Sequence, residues 1–318
     1  MPTCDRVLVT RAGWLFAAEL AATIAAMRFA AAGAALMTAV AAGCTVYRSA
    51  VTQLVASAVV RARADDATTS DVHRARGAGP LRLLTPRAAG KAAWIVTSSL
   101  GGGLVDGDEV GLEVEIDRDA TCVITTQAST KAYRGQTHQE TRARVADGAA
   151  AIVIPDPLVP FRDARVRQIT RIELAPQASL VLVDTLTAGR LAHGERWSCA
   201  RADTSLTVVR AGSTVLHDRV VLDRSHGEIA ARMQRFVALA TVLVVGPRVA
   251  VHARALLAEI AARPLADPAL LIAASPLGDD GVVLRIASTA IERLVAATRV
   301  HLQPACASLG EDPWARKW

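Results

Sequence analysis

Lysine is almost missing from this chain. Only Lys91, Lys131 and Lys317 occur, so 33 of the 36 basic residues are arginine. Together with the abundance of alanine this is the mark of a GC-rich coding sequence, and the formal net charge of +6 therefore says little about partners. Aromatic residues make up 3% of the chain. A nucleic-acid binder interleaves aromatics with clustered basic residues or carries a recognisable module, whereas these arginines are scattered, which argues against a nucleic-acid partner. The five cysteines Cys4, Cys44, Cys122, Cys199 and Cys306 are odd in number, far apart and never spaced C-x-x-C. That excludes a disulfide scaffold and a structural zinc site, and it fits a reducing compartment.

Catalytic motifs are missing too. Ser98, Ser99 and Ser129 have no G-x-S-x-G context, and no carboxylate pair can be identified from spacing. Gly101, Gly102 and Gly103 form a glycine-rich stretch, but a phosphate loop must run into a helix N-terminus, and this one runs into an alternating strand. The glycines are therefore read as permitting a tight bend between strands.

What is present is ample apolar material: 52% of the 318 residues are hydrophobic and 21% are charged, which is enough for a sizeable core. Residues 1–78 read as an atypical Ala-rich extension followed by a polar linker from Arg61 to Arg76. The stretch from Phe29 to Tyr47 carries no charge and is about as long as a membrane span, but its alanines give weak insertion drive. The expectation is a helical extension, or a start placed too far upstream, rather than a membrane anchor or a lipoprotein cleaved before Cys44.

After Gly79 the period becomes two. Val110, Leu112, Val114 and Ile116 alternate with Glu109, Gly111, Glu113 and Glu115, as a strand with one buried face requires. Similar runs follow at turn-separated intervals as far as Leu222. The last third reads strand, helix, strand, strand, helix, with apolar stripes at Val249–Ile260 and Ile291–Leu302. The expected fold is mainly β, with stacked antiparallel sheets arranged as a sandwich or in a β-helix-like way, and two helices in the C-terminal third. No internal sequence repeat is visible. The expected domain is 79–318.

Imidazole and carboxylate groups suit Ni(II) or Zn(II). His193 and Glu195 lie two apart, hence on one face of a strand, and His217 falls within a looser polar group. The polar cluster Gln127, Thr130, Lys131, Tyr133 and Arg134 is not explained by backbone needs alone.

Two segments in that region carry a family resemblance. Gly101-Gly102-Gly103-Leu104-Val105-Asp106-Gly107-Asp108, then Thr125 to Arg134, resembles the paired signature of the urease accessory protein UreD (UreH) family. Gly79 to Arg82, Pro155 to Phe161 with Ala164-Arg165, and Ala188-Gly189-Arg190 with Gly194-Glu195 match further family motifs in order, so the resemblance runs from about 79 to about 300. It implies a non-enzymatic, strand-rich chaperone of nickel insertion in the cytoplasm, which binds apo-urease and recruits UreF and the GTPase UreG. The resemblance further implies no tightly bound cofactor, with nickel passing transiently, and allows a homodimer within the complex. The family's first one or two strands are expected to be replaced here by residues 1–78.

The residues singled out for a polar path or a partner surface are Gly101, Gly102, Gly103, Asp108, Gln127, Thr130, Lys131, Tyr133, Arg134, Pro160, Phe161, Gly189 and Arg190. Lys131 stands out as one of three lysines in an arginine-rich chain, and the resemblance makes Asp184, His193, Glu195 and His217 the candidates for a transient nickel route. The alternative reading from another class is a β-rich hydrolase or small-molecule-binding protein.

Overall fold

The computed structural model describes residues 54–87, 90–263 and 267–315. Among them the chain forms two stacked sheets. The first has the order β14-β13-β11-β8-β5-β1-β2, and the second β16-β17-β15-β12-β9-β6-β4-β3. The strands that build the middle are β1 (Leu54–Ala62), β4 (Ala93–Ser99), β5 (Glu109–Ile116), β6 (Thr121–Thr126), β8 (Gly135–Val145), β9 (Ala150–Val153), β11 (Ala164–Leu174), β12 (Ser179–Thr187) and β13 (Arg201–Arg210). The short strands β7 (Thr130–Ala132) and β10 (Leu158–Pro160) pair with each other beside β12.

Successive middle strands lie in opposite sheets, so a strand's neighbour within a sheet is one full coil later and runs the same way. The central pairs are accordingly parallel. Antiparallel pairing is kept to the flanks, by β2 (Ser70–Arg76), β3 (Leu81–Leu84), β14 (Ser213–Asp223), β15 (Ala238–Val245), β16 (Leu270–Pro276) and β17 (Gly281–Ser288). The mainly β, stacked and β-helix-like expectation holds, but the antiparallel expectation is corrected through the middle of both sheets. Two-residue alternation reports a buried face and carries no information on strand direction.

From β4 to β12 the coil has a constant length: residues bonded across neighbouring coils stand 29 positions apart, as in Gln139 with Gln168 and Glu113 with Arg142, whereas the last coil is longer and sets Arg165 of β11 beside Arg201 of β13. Ala93, Cys122, Ala151 and Leu180 form one inward rung, and Ile95, Ile124, Val153 and Leu182 the next; all are buried between the sheets. The residues between these rungs face the other way. Trp94, Val123, Ile152 and Val181 form a second core, under α2 (Ala250–Ala262) and α3 (Ile291–Ser308). A one-turn helix, α1 (Ile229–Met233), precedes β15. Among the described residues no helix is long and apolar enough to cross a membrane.

The expected boundary at residue 79 is corrected. β1 and β2 belong to the first sheet, and β1 pairs in parallel with β5 from Leu54 to Val60. Ala56, Ala58 and Val60 are fully or almost fully buried in the inter-sheet core. Between Leu54 and Val60 Ser57 is the one polar residue, so the run shows no alternation and its pattern reads as the end of a helical extension. The strands expected to be replaced are therefore present as β1 and β2, and the segment read as a linker, Arg61 to Arg76, contains β2. The rest of the Ala-rich stretch, with its charge-free run and Cys44, lies outside the described residues.

Candidate functional site

The inward rungs change character toward one end of the sandwich. In the first sheet Ala143 and Ile172 pack in the core, but the same rows continue as Thr141 and Thr170, then Gln139 and Gln168. In the second sheet the row after Leu182 brings Thr97, Thr126 and Asp184 inward. Polar side chains at these inward positions leave a cavity of about 210 Å³ between the sheets. Its exposed lining residues Gly102, Gln127 and Lys131 mark the mouth, and Gln168 and Asp184 lie inside.

Hydrogen bonds tie together several of the polar side chains in the cavity wall. At the mouth the Ser98 hydroxyl donates to Gln127 Oε1 at 2.6 Å. Thr126 Oγ1 donates to Asp156 Oδ2 at 3.0 Å, and the Asp156 N–H returns a bond to Thr126 Oγ1 at 2.7 Å. Deeper in, the Gln139 amide donates to Gln168 Oε1, and Gln168 Nε2 donates to Asp184 Oδ1 at 2.7 Å, which joins the two sheets. Burial pushes the Asp184 carboxyl up to about 6; the bond from Gln168 and the charge of Arg285 work against that rise, and Asp218 adds to it. Behind Asp184, Arg285 is paired with Asp218 at 2.8 Å, and Thr241 accepts from Arg285 and donates to Asp218.

A second cluster supports the mouth. Tyr133 meets Phe161 edge to face, with ring centroids 5.0 Å apart, and the Arg190 guanidinium lies 4.2 Å above the Phe161 ring. Arg190 is also paired with the buried Glu195, which accepts from the Arg162 N–H at 3.2 Å. The bond from Arg190 holds the Glu195 carboxyl below the usual carboxylate range. Two glycines permit this packing. A Cβ on Gly103 would stand 2.6 Å from the Lys131 carbonyl oxygen, and one on Gly189, at φ +101, would stand 2.8 Å from the Pro160 carbonyl oxygen.

The structure thus brings Gly102, Gln127, Thr130 and Lys131 to the same cavity as Asp184, and Gly103, Tyr133, Phe161, Gly189 and Arg190 to the cluster beside it. Asp108 holds the following turn by accepting from the Val105 N–H at 2.8 Å, Gly101 sits in a short 3-10 turn, Pro160 is buried on β10, and Arg134 is exposed. The proposed set of Asp184, His193, Glu195 and His217 does not come together. His193 is exposed at the end of a 3-10 turn rather than on a strand, so its two-residue spacing from Glu195 does not place both on one face. Glu195 is engaged by Arg190, and His217 meets Thr207 at 3.0 Å on the edge strand β14. Among the described residues no three His, Cys, Asp or Glu side chains are grouped to hold a metal. Gln139, Gln168 and Asp156 were missed. The signal for Gln139 and Gln168 was the recurrence of inward polar residues at the coil length, invisible until that length is known.

Residues 55–318 match the model of the UreD urease accessory protein family. This chain belongs to the UreD family. A urease accessory protein UreD of Sorangium cellulosum is 44% identical over 251 residues, covering 78% of this chain and 80% of the relative. One from Anaeromyxobacter is 45% identical over 74% of this chain and 81% of its own length. The urease accessory protein D of Arabidopsis thaliana is 33% identical over 74% of this chain and 92% of its own. Family membership makes the chain a urease accessory protein rather than an enzyme, and the hydrolase alternative is set aside. The UreD match begins within β1, in agreement with the strand order and not with a start at residue 79.

Proposed function

We propose that this chain is a cytoplasmic nickel-insertion chaperone that binds apo-urease, acts with UreF and the GTPase UreG, and carries nickel through the cavity between its sheets. The observation that supports this reading most is the inward polar row ending at Asp184, in a place where the neighbouring rungs are apolar. Burying a polar row costs stability that an apolar rung would not, so its presence calls for a use. With its carboxyl at about 6, Asp184 is largely ionised at neutral pH and attracts a divalent cation. Amide and hydroxyl oxygens from Gln139, Gln168, Thr141 and Thr170 are weak ligands, which suits cargo that must leave again. Nickel is here the substrate, and the GTP site belongs to UreG.

The test is co-expression of the full chain with apo-urease, UreF and UreG in nickel-containing medium. Urease should gain activity, and co-purify with the accessory proteins, only when this chain is present. Activation of equal extent without it, or a folded chain that binds none of the three, overturns the proposal.

A further inference from the structure

Three carboxylates line the cavity, Glu140, Asp156 and Asp184, and among the described residues a single cation does, Lys131. Lys131 stands at the mouth, is exposed, and has no ion pair among the described residues. Its position on β7 is fixed on both sides. The Leu104 N–H donates to the Lys131 carbonyl at 2.7 Å, and Lys131 is in register with Val159 of β10. The acidic residues of the neighbouring turn are committed elsewhere: Asp108 accepts from the Val105 N–H, and Asp106 from the Gln136 N–H at 2.7 Å. Leu100 and Val105, in the loop beside it, are 51% and 54% exposed. The rim therefore offers one unpaired cation with apolar side chains next to it.

An exposed cation at the entrance repels a divalent ion approaching from solvent, so on its own it works against the passage proposed above. A carboxylate brought to it by another protein would both anchor that protein and cancel the repulsion. Resting on the cavity reading, the geometry points to Lys131 as the docking point for an acidic segment of the partner protein that meets this mouth, with apolar side chains of that segment covering Leu100 and Val105. Contact then neutralises the rim and admits the ion. Without the partner, Lys131 discourages free divalent ions from entering.

The experiment uses the full chain as wild type, Lys131→Arg, Lys131→Gln, Lys131→Glu and Asp184→Asn, co-expressed with apo-urease, UreF and UreG. Co-purification and urease activation are read separately. Lys131→Glu should lower recovery of the complex roughly fivefold or more at low salt, Lys131→Gln less, and Lys131→Arg should restore it. Asp184→Asn should leave the complex intact and lower activation. In a second measurement, nickel titration of the full chain alone at low salt, Lys131→Gln should bind nickel a few-fold more tightly than wild type, the difference shrinking at high salt. Wild-type recovery of the complex by Lys131→Glu overturns the docking point, and equal nickel affinities overturn the gate. If Lys131→Glu loses the complex while Asp184→Asn activates urease normally, the docking point stands and the cavity reading fails.

Discussion

Gln168 on β11 and Asp184 on β12 are joined by a 2.7 Å hydrogen bond that crosses from one sheet to the other. Gln168 itself accepts from Gln139, its neighbour one coil earlier. The amide chain thus fixes the Asp184 carboxylate in a stretch of the sandwich interior where the rungs are polar, and the arrangement can be tested from several sides.

The first prediction concerns pH. The Asp184 carboxyl is raised from 3.8 to about 6 in the folded chain, so the folded state holds a proton that the unfolded chain has already released in that window. The stability this contributes is fully present below about 3.8 and is lost as pH rises through about 6. Asp184→Asn, which still accepts from Gln168, should stabilise the chain at pH 7 by about 2 kcal/mol and change little at pH 3.5. Urea unfolding at the two pH values measures this. Equal effects at both would show that Asp184 titrates normally.

A second prediction concerns the support of the mouth. Arg190→Ala removes the guanidinium from Phe161 and leaves the buried Glu195 with only Arg162. An uncompensated buried carboxylate is strongly unfavourable. Thermal melting should show a drop of several degrees for Arg190→Ala, and a smaller one for Glu195→Gln, which keeps the shape without the charge.

Glycine positions supply a third. Gly103→Ala places a methyl group 2.6 Å from the Lys131 carbonyl oxygen, against backbone that is held in β7. The expected loss is about 1–3 kcal/mol. Gly101, at φ +81, has open space around its Cβ position, so Gly101→Ala should cost only about 1 kcal/mol from backbone strain. Reversal of this order in urea denaturation would contradict the close approach.

The fourth follows from β1. A chain that starts at residue 79 lacks the strand that covers β5, together with Ala56, Ala58 and Val60 of the core. It should fail to unfold cooperatively. A cooperative transition matching that of the full chain, followed by circular dichroism, would show β1 and β2 to be dispensable.

The parts of the fold legible in the sequence are those where one face is apolar. Val110 to Ile116 announced β5, and the apolar stripes of α2 and α3 announced the helices. β8 was not legible because its inward row begins Thr137, Gln139 and Thr141, and a strand whose buried face is polar has no alternation to read. The features that hid the strand are those that line the cavity. The coil length was hidden for a related reason: stacking constrains only which face a residue takes, so Ala93, Cys122, Ala151 and Leu180 share a rung without sharing an identity. Asp184 was singled out from the sequence, but with histidines that lie elsewhere, since sequence distance says nothing about which strands the coil brings opposite each other. Lys131 and Gln127 were legible through composition and family resemblance; their joint position at a cavity mouth was not.

The central claim is passage through the cavity by way of Asp184, and the most direct measurement separates assembly from delivery. Asp184→Asn and Gln168→Leu chains would be co-expressed with apo-urease, UreF and UreG, the complexes isolated, and urease nickel content and activity determined. The account predicts complexes recovered as with wild type, and urease that holds several-fold less nickel and is correspondingly less active. Fully loaded, fully active urease from both variants would contradict it.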